Sequence, residues 1–164
     1  MINVSIASSD LQKALNDMRK YPIEVKKRVR SEIERTSRAI TYKAQINLKN
    51  NKNHKTGRLS SSLQGYAAKN IDLERFNAKA GTDVFYGPYV ELGTPPHIIE
   101  VKRAKVLAKY LNTSGGKANF AIFGKKVHHP GTRPSPFLMP AAESERSRFN
   151  SNCEKILSDS TGTK

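Results

Sequence analysis

The chain has 164 residues, 37 % of them hydrophobic, and a mean hydropathy of −0.62, which allows one domain with a modest core. Its 29 lysine and arginine residues against 14 acidic residues leave a net charge of +15, which indicates a polyanionic partner such as nucleic acid, or an acidic protein. No apolar run approaches the roughly 20 residues of a membrane span, no signal-peptide pattern is present, and the single Cys153 excludes an intrachain disulfide and indicates a reducing compartment.

The N-terminal third is predicted to be mainly helical. Residues 2–6 alternate between apolar and polar, which predicts a short first strand. Ser8 or Ser9 can cap a helix over residues 10–20, and Pro22 suits the first turn of the next helix. Beyond it, apolar or small residues recur every three or four positions, at Val25, Val29, Ile33, Thr36, Ile40, Ala44 and Leu48. This stripe predicts a long amphipathic helix with lysine and arginine on its outer faces.

The middle of the chain is predicted to turn from helix to strand. The segment RLSSSLQGYAAK, residues 58–69, predicts a short helix because Leu59 and Leu63 are four positions apart. Residues 78–92 are rich in β-prone side chains and predict two strands separated by a turn. Gly87-Pro88 argues against an uninterrupted central strand, so we expect a bend or bulge there.

The C-terminal half is predicted to add further strands and a closing helix. HIIEV predicts a strand, and the runs VLAKYLNT and ANFAIFGKKV, separated by SGGK, predict a β-hairpin. A helix is predicted from Leu138 to Leu157, with Pro140 in its first turn. The predicted fold class is therefore α+β, with a long N-terminal helix and a C-terminal helix packed on a small, mainly antiparallel sheet. We expect one domain over residues 1–159 and a flexible tail over residues 160–164.

The positive charge is concentrated in one segment. From Val101 to Ala142 there is no acidic residue. The same segment contains eight basic residues, Lys102, Arg103, Lys105, Lys109, Lys117, Lys125, Lys126 and Arg133. Such a block is typical of a surface that faces a negatively charged partner, or simply of a solvated face on a basic protein, and both interpretations stay open.

The histidines do not form a recognisable metal-binding pattern. A zinc site needs three or four converging ligands, and only the fold could bring His97, His128 and His129 together. Adjacent side chains on an extended segment point to opposite faces, so His128 and His129 would not reach one ion easily. We predict no metal site, and a turn-fixing role for the histidine before Pro130-Gly131.

No other catalytic constellation stands out. The serine triplet 60–62 lacks the strand-turn-helix elbow of a hydrolase, and Cys153 lies on the apolar side of a helix, as a buried, inert thiol does. There is no phosphate-binding glycine loop. A basic nuclease that uses His129 with Glu91 or His97 as its acid and base is not singled out by the spacing. We therefore predict that the protein is not an enzyme and needs no cofactor.

Aromatic residues cluster in the predicted strands. They are Phe85, Tyr86, Tyr89, Tyr110, Phe120 and Phe123. Aromatic side chains on strands can stack on nucleic-acid bases. At this near-alternating spacing they more often form the core and cross-strand pairs, which is the interpretation that we favour.

Four short motifs occur in a fixed order between residues 56 and 143. They are Thr56-Gly57-x-Leu59, then Tyr89 with Glu91-x-Gly93-Thr94 and Pro96-His97, then His129-Pro130-Gly131-Thr132, and finally Pro136-Phe137-Leu138. In this order the chain resembles the neck or tail-completion proteins of long-tailed bacteriophages, the family named for gene product ten of the Hong Kong ninety-seven phage. Each motif alone is weak, and the combination is fairly specific.

The resemblance implies a structural virion protein that joins the DNA-filled head to the tail. It implies assembly in the host bacterial cytoplasm, a final location in the neck of the virion, and no membrane. The implied partners are further copies in a homo-oligomeric ring (a hexamer or dodecamer), head-completion or connector proteins, tail-terminator or tail-tube proteins, and viral double-stranded DNA. The expected lumen residues are Lys102, Arg103, Lys105, Lys109, Lys125 and Lys126. The alternative is a basic nucleic-acid-binding domain or a small nuclease.

The segment VHHPGTRPSPF is interpreted as a stiff corner between the last strand and the last helix. Its prolines fix φ at three positions, and Gly131 permits a turn. Turns are expected at Gly57, Gly93 and Gly131, and if any of the three has positive φ, its replacement by valine should cost about 1–3 kcal/mol.

Overall fold

A computed structural model describes residues 6–51, 57–63, 80–102, 104–111 and 119–161. The elements are α1 (Ser9–Asn16), a 3-10 turn (Met18–Lys20), α2 (Ile23–Asn50), α3 (Arg58–Ser62), α4 (Gly87–Leu92), β1 (His97–Glu100), β2 (Leu107–Leu111), β3 (Asn119–Gly124), β4 (Lys126–His129) and α5 (Leu138–Thr161). The chain divides into a helical unit, Met1–Leu92 with Ser135–Lys164, and a β unit, Gly93–Pro134. The predicted α+β class is confirmed, with a long N-terminal helix, a C-terminal helix and antiparallel strands.

The first two helices form near their predicted positions, although α1 ends at Asn16 and a 3-10 turn covers the rest of the predicted first helix. Ser8 caps α1, because its side-chain oxygen accepts a hydrogen bond from the Leu11 backbone N–H at 3.3 Å. Pro22 immediately precedes α2, whose 28 residues span about 42 Å. All seven residues of the predicted stripe, from Val25 to Leu48, are buried. The helical period of the sequence therefore identified the inner face of α2.

Helix α5 packs along α2 and gives the helical unit two hydrophobic cores. The first core joins α1, the N-terminal half of α2 and the C-terminal half of α5, and contains Leu11, Leu15, Met18, Val25, Val29, Ile33, Phe149 and Cys153. The second core joins the C-terminal half of α2 to α3 and the start of α5. It contains Ile40, Ala44, Leu48, Leu59, Leu63, Val84, Phe137, Leu138, Ala141 and Ala142.

A buried polar cluster lies between the two cores. Glu32 on α2 and Glu145 on α5 are both buried, and the Arg148 guanidinium contacts both carboxylates. Lys43 Nζ lies 2.5 Å from Glu145 Oε1, while the Asn152 amide donates to Glu32 Oε1 at 2.9 Å. Because each carboxylate has several partners, the cluster fixes how α2 and α5 align along their length.

The β unit contains two separate two-stranded antiparallel sheets. Strand β1 pairs with β4, with His97 opposite His129 and Ile99 opposite Val127. Strand β2 pairs antiparallel with β3, which confirms the pairing expected of the predicted hairpin, and its connecting residues 112–118 lie outside the described residues. An isolated bridge between Thr94 and Thr132 extends the β1–β4 pairing beyond the strand ends.

The prediction of two strands in residues 78–92 is wrong. Residues 80–84 form no strand, and residues 87–92 form α4. The buried positions Val84, Gly87 and Glu91 follow at steps of three and four, which is a helical period. Pro88 is tolerated because the first turn of a helix needs no N–H donor there.

Some predictions fall on chain ends. Of the predicted first strand only Ile6 is described, and it lies in no strand; residues 2–5 lie outside the described residues. Helix α5 continues to Thr161, so residues 160 and 161 are helical rather than part of the predicted tail. The single domain over residues 1–159 stays a prediction beside the two compact units.

Candidate functional site

The motif residue Glu91 caps helix α5 from a distance in sequence. Its side chain is 2 % exposed, and its Oε2 accepts hydrogen bonds from the backbone N–H groups of Phe137 at 2.8 Å and Leu138 at 2.9 Å. Its Oε1 accepts from the Met139 N–H at 2.9 Å. The first N–H groups of a helix have no partner within the helix and carry partial positive charge, so a carboxylate is well suited to them. Glu91 therefore has a structural role, as the cap of the first turn of α5.

The segment that enters α5 is held at several further points. The Asn47 side-chain amide donates to the Phe137 carbonyl at 2.9 Å, and the Asn51 amide donates to the Pro136 carbonyl at 3.0 Å. The Ser135 N–H donates to the Val90 carbonyl at 2.9 Å. The end of α2 and α4 thus both hold this segment, as expected for a stiff corner.

Within the β unit, the Gly-Thr pairs of two motifs meet each other. Thr94 and Thr132 exchange backbone hydrogen bonds of 3.0 and 3.1 Å, and their hydroxyl oxygens are 3.0 Å apart. Gly93 and Gly131 flank this bridge with φ of +73° and +85°. A Cβ atom at Gly93 would collide with the Thr132 carbonyl oxygen, and one at Gly131 with the Thr94 carbonyl oxygen. Only glycine fits at both positions.

The histidines of the same two motifs are cross-strand neighbours. The rings of His97 and His129 stack with centroids 4.9 Å apart and planes at 29°. His97 Nδ1 lies 3.0 Å from the Pro95 carbonyl oxygen, which can only accept, so this nitrogen carries the hydrogen. His129 Nδ1 accepts from the Gly131 N–H at 3.0 Å, so in the neutral ring the hydrogen is on Nε2. Each ring thus fixes backbone next to the Thr94–Thr132 bridge.

These tautomers do not suit a shared metal ion. In the neutral His129 ring, Nδ1 uses its lone pair to accept a hydrogen bond and Nε2 carries the hydrogen, so neither nitrogen can bind a metal ion. Of the two rings, this leaves His97 Nε2 as the one nitrogen with an available lone pair. His128 pairs with Ile98, one position away in register, and so lies on the opposite face of the sheet. In the part of the chain that the structure describes, no three potential ligand residues converge.

The other catalytic candidates are engaged structurally. Both carboxylate oxygens of Glu91 are occupied by backbone donors, so Glu91 is poorly placed as a general base. Ser60 is buried, and the Ser62 hydroxyl is 2.6 Å from the Thr82 hydroxyl oxygen. Burial raises the pKa of the Cys153 thiol to about 12, and the charges of Glu32 and Glu154 add to this effect, so the reactive thiolate is disfavoured at neutral pH.

The expected lumen residues lie mostly on the surface of the β unit. Lys102, Lys105, Lys109, Lys125 and Lys126 are all exposed, and Arg103 lies outside the described residues. Lys126 pairs with Glu100 at 2.7 Å, and Glu100 is the single acidic residue in the sequence of this unit, against eight basic ones. The charge therefore remains largely uncompensated within the unit.

The remaining motif residues divide between core and surface. Leu59 and Phe137 are buried in the second core, and Gly57 precedes α3 with a φ of +70°. Tyr89, Pro130 and Pro136 are exposed, and Thr56 lies outside the described residues.

The interpretation of the clustered aromatic residues as core is wrong for three of them. Phe85, Tyr89 and Phe123 are exposed, and the first two lie in or just before α4 rather than in a strand. Phe85 contacts Tyr86 edge to face, with ring centroids 5.4 Å apart.

Asn47 and Asn51 were not singled out from the sequence. Their spacing of four on the last turn of a helix would have shown that they share a face. The structural roles of Glu32 and Glu145 were also not predicted, although each residue falls on a buried helical stripe, where a charge requires a partner.

None of the described helices is long and apolar enough to cross a membrane. Comparison of the chain with protein-family models, curated proteins and solved structures gave no match.

Proposed function

We propose that this chain is a structural protein of a long-tailed bacteriophage that joins the DNA-filled head to the tail as a ring around the DNA channel. The observation that carries the proposal is the charge of the β unit, whose sequence has eight basic residues and one acidic residue. Five of its lysines are exposed. The resemblance of four ordered motifs to phage neck proteins supports the same conclusion.

The character of this surface suits contact with DNA that has to move. Contacts between lysine and phosphate do not depend on sequence and weaken with salt, so a lysine-rich lumen attracts DNA without gripping one register. Identical subunits in head-to-tail contact close into a ring when their rotation closes, which is the arrangement needed to encircle a channel.

The motif residues supply rigidity in this proposal. Glu91 and Asn47 hold the start of α5, while the Thr94–Thr132 bridge and its flanking glycines hold together the first and last residues of the β unit. All of these contacts are internal hydrogen bonds or close backbone approaches. We infer that the motifs preserve a scaffold, and that the protein works without catalysis, cofactor or metal.

A nucleic-acid-binding domain outside a virion is the second candidate, and the same exposed lysines favour it. A nuclease is less well supported, because the carboxylate of Glu91 is saturated by three backbone donors. The two remaining candidates differ in where the protein is found, since only a neck component is retained in purified particles.

The test is a charge reversal made in particles. Lys102, Lys105 and Lys125 are replaced together by glutamate, and the matched control reverses Lys49, Arg58 and Lys155, which are exposed on the helical unit. We expect the β-unit variant to fold and to yield heads that lose DNA or lack tails, while the control assembles normally. Fully infectious particles from the β-unit variant would contradict the proposed lumen.

A further inference from the structure

Helix α4 presents an apolar stripe that its own unit leaves uncovered. Phe85, Tyr89 and Leu92 are 80 %, 58 % and 63 % exposed. Tyr89 and Leu92 are three positions apart and lie on one side of α4, away from the buried Gly87 and Glu91, and Phe85 lies in the turn just before the helix. Three large exposed apolar side chains, two on α4 and one in the turn before it, exceed the single exposed residues that are ordinary on a surface. This side of α4 is therefore built for contact.

The hairpin formed by β2 and β3 also leaves an apolar face open. Ala108 and Ile122 are directly opposite each other in the register, so they lie on the same face. Both are exposed, Ile122 by 70 %. A two-stranded sheet is marginally stable in water unless another element covers it, so this face gains from a partner.

The two surfaces are complementary in charge as well as in apolar character. Residues 80–92 contain no lysine or arginine in a chain of net charge +15, and Asp83 beside the stripe is exposed. The hairpin lies in the segment without acidic residues, and its neighbours Lys105 and Lys109 are exposed. Two copies of so basic a protein repel each other on most of their surfaces, so a contact is favoured where one of them lacks positive charge.

We propose that the α4 stripe of one copy binds the β2–β3 hairpin face of a second copy of this chain. The contact is heterologous, because it joins two different surfaces of the chain. It rests on the proposed ring and specifies which surfaces form the subunit interface. The residues that carry it are Phe85, Tyr89 and Leu92 on one side and Ala108 and Ile122 on the other.

Disulfide cross-linking between two single-site variants tests this interface. Full-length Tyr89→Cys protein is mixed with size-tagged Ile122→Cys protein and oxidised mildly, and the tagged heterodimer is quantified on a non-reducing gel. The native Cys153 is fully buried, so it does not contribute. Since docking raises the local concentration of the two thiols, we expect about tenfold more heterodimer than from Tyr89→Cys mixed with Glu154→Cys, an exposed control on α5.

Sedimentation of the wild-type chain and of Tyr89→Asp separates this interface from the ring itself. Heterodimer above the control level, with self-association weakened by Tyr89→Asp, supports the interface. If the wild-type chain self-associates but the heterodimer yield equals the control, the interface is wrong while the ring stands. If the wild-type chain stays monomeric and the heterodimer yield equals that of the control, the proposed interface is also wrong. The proposed ring is then tested by the charge reversal in particles.

Discussion

The carboxylate of Glu91 accepts a hydrogen bond from the backbone N–H of Leu138 at 2.9 Å, so a side chain on a six-residue helix holds the start of a 24-residue helix. Two neighbouring N–H groups bind the same carboxylate. The Glu-x-Gly-Thr and Pro-Phe-Leu motifs, more than 40 residues apart in sequence, are thus two halves of one structural feature.

Replacement of Glu91 by glutamine should destabilise the protein by about 2–3 kcal/mol. The variant loses the negative charge, and one carboxylate oxygen becomes an NH₂ group that faces backbone donors in a buried site. Chemical denaturation measures the change in the free energy of unfolding. The control is Glu143→Gln on the exposed side of α5, which should stay near wild type. Equal stability of the two variants would show that the Glu91 cap has no energetic role.

Two glycines with the same backbone conformation separate strain from close packing. Gly124 and Gly131 both have a φ of +85°, but a Cβ at Gly124 meets no atom within 4 Å, whereas one at Gly131 collides with the Thr94 carbonyl oxygen. Gly124→Ala should therefore cost about 1 kcal/mol, and Gly131→Ala about 1–3 kcal/mol more. Melting curves of the two variants measure the difference. Identical losses would mean that the Thr94–Thr132 bridge yields without cost.

Removal of Arg148 should cost more than removal of an exposed arginine of the same unit, Arg38. Arg148→Met leaves the buried carboxylates of Glu32 and Glu145 without their shared cation, which should destabilise the helical unit by about 3 kcal/mol. Arg38→Met removes an exposed arginine on α2 that pairs with Glu34 and should stay close to wild type. The measurement is the free energy of unfolding of each variant. Equal values would show that the buried cluster contributes no more to stability than an exposed ion pair.

The same cluster predicts a loss of stability in acid. Burial alone would raise the pKa of Glu145, but hydrogen bonds from Lys43 and Arg148 outweigh it, so this pKa lies below its ordinary value. A carboxyl whose pKa is lower in the folded state contributes stability above its unfolded pKa and loses it as the pH falls through the folded one. The free energy of unfolding should therefore fall between about pH 5 and pH 3, and fall less steeply in Glu145→Gln. Parallel pH profiles would contradict this assignment.

The helical stripe from Val25 to Leu48 was predictable because seven positions repeat one period, and all seven are buried. The β2–β3 hairpin was predictable from two β-prone runs around a glycine pair. Helix α4 was not, because its Tyr89 and Val90 have local β propensity, which packing overrides. The burial of Val84, Gly87 and Glu91 at helical spacing sets that structure.

The candidate site was predictable only in part. Gly57, Gly93 and Gly131, at which turns were predicted, all have positive φ. The partners of these glycines were not predictable, because the Thr94–Thr132 bridge joins residues 38 apart in sequence. The role of Glu91 likewise depends on backbone N–H groups, which leave no trace in side-chain patterns.

We propose that the protein forms a ring in the neck of a phage particle, and an electron cryomicroscopy map of that neck is the decisive experiment. Purified particles that carry this chain should show a closed ring of its subunits between head and tail, with the β unit lining the channel around DNA. Absence of the chain from infectious particles would contradict the account. A ring that places Lys102, Lys105 and Lys125 on its outer rim would contradict the assignment of the lumen.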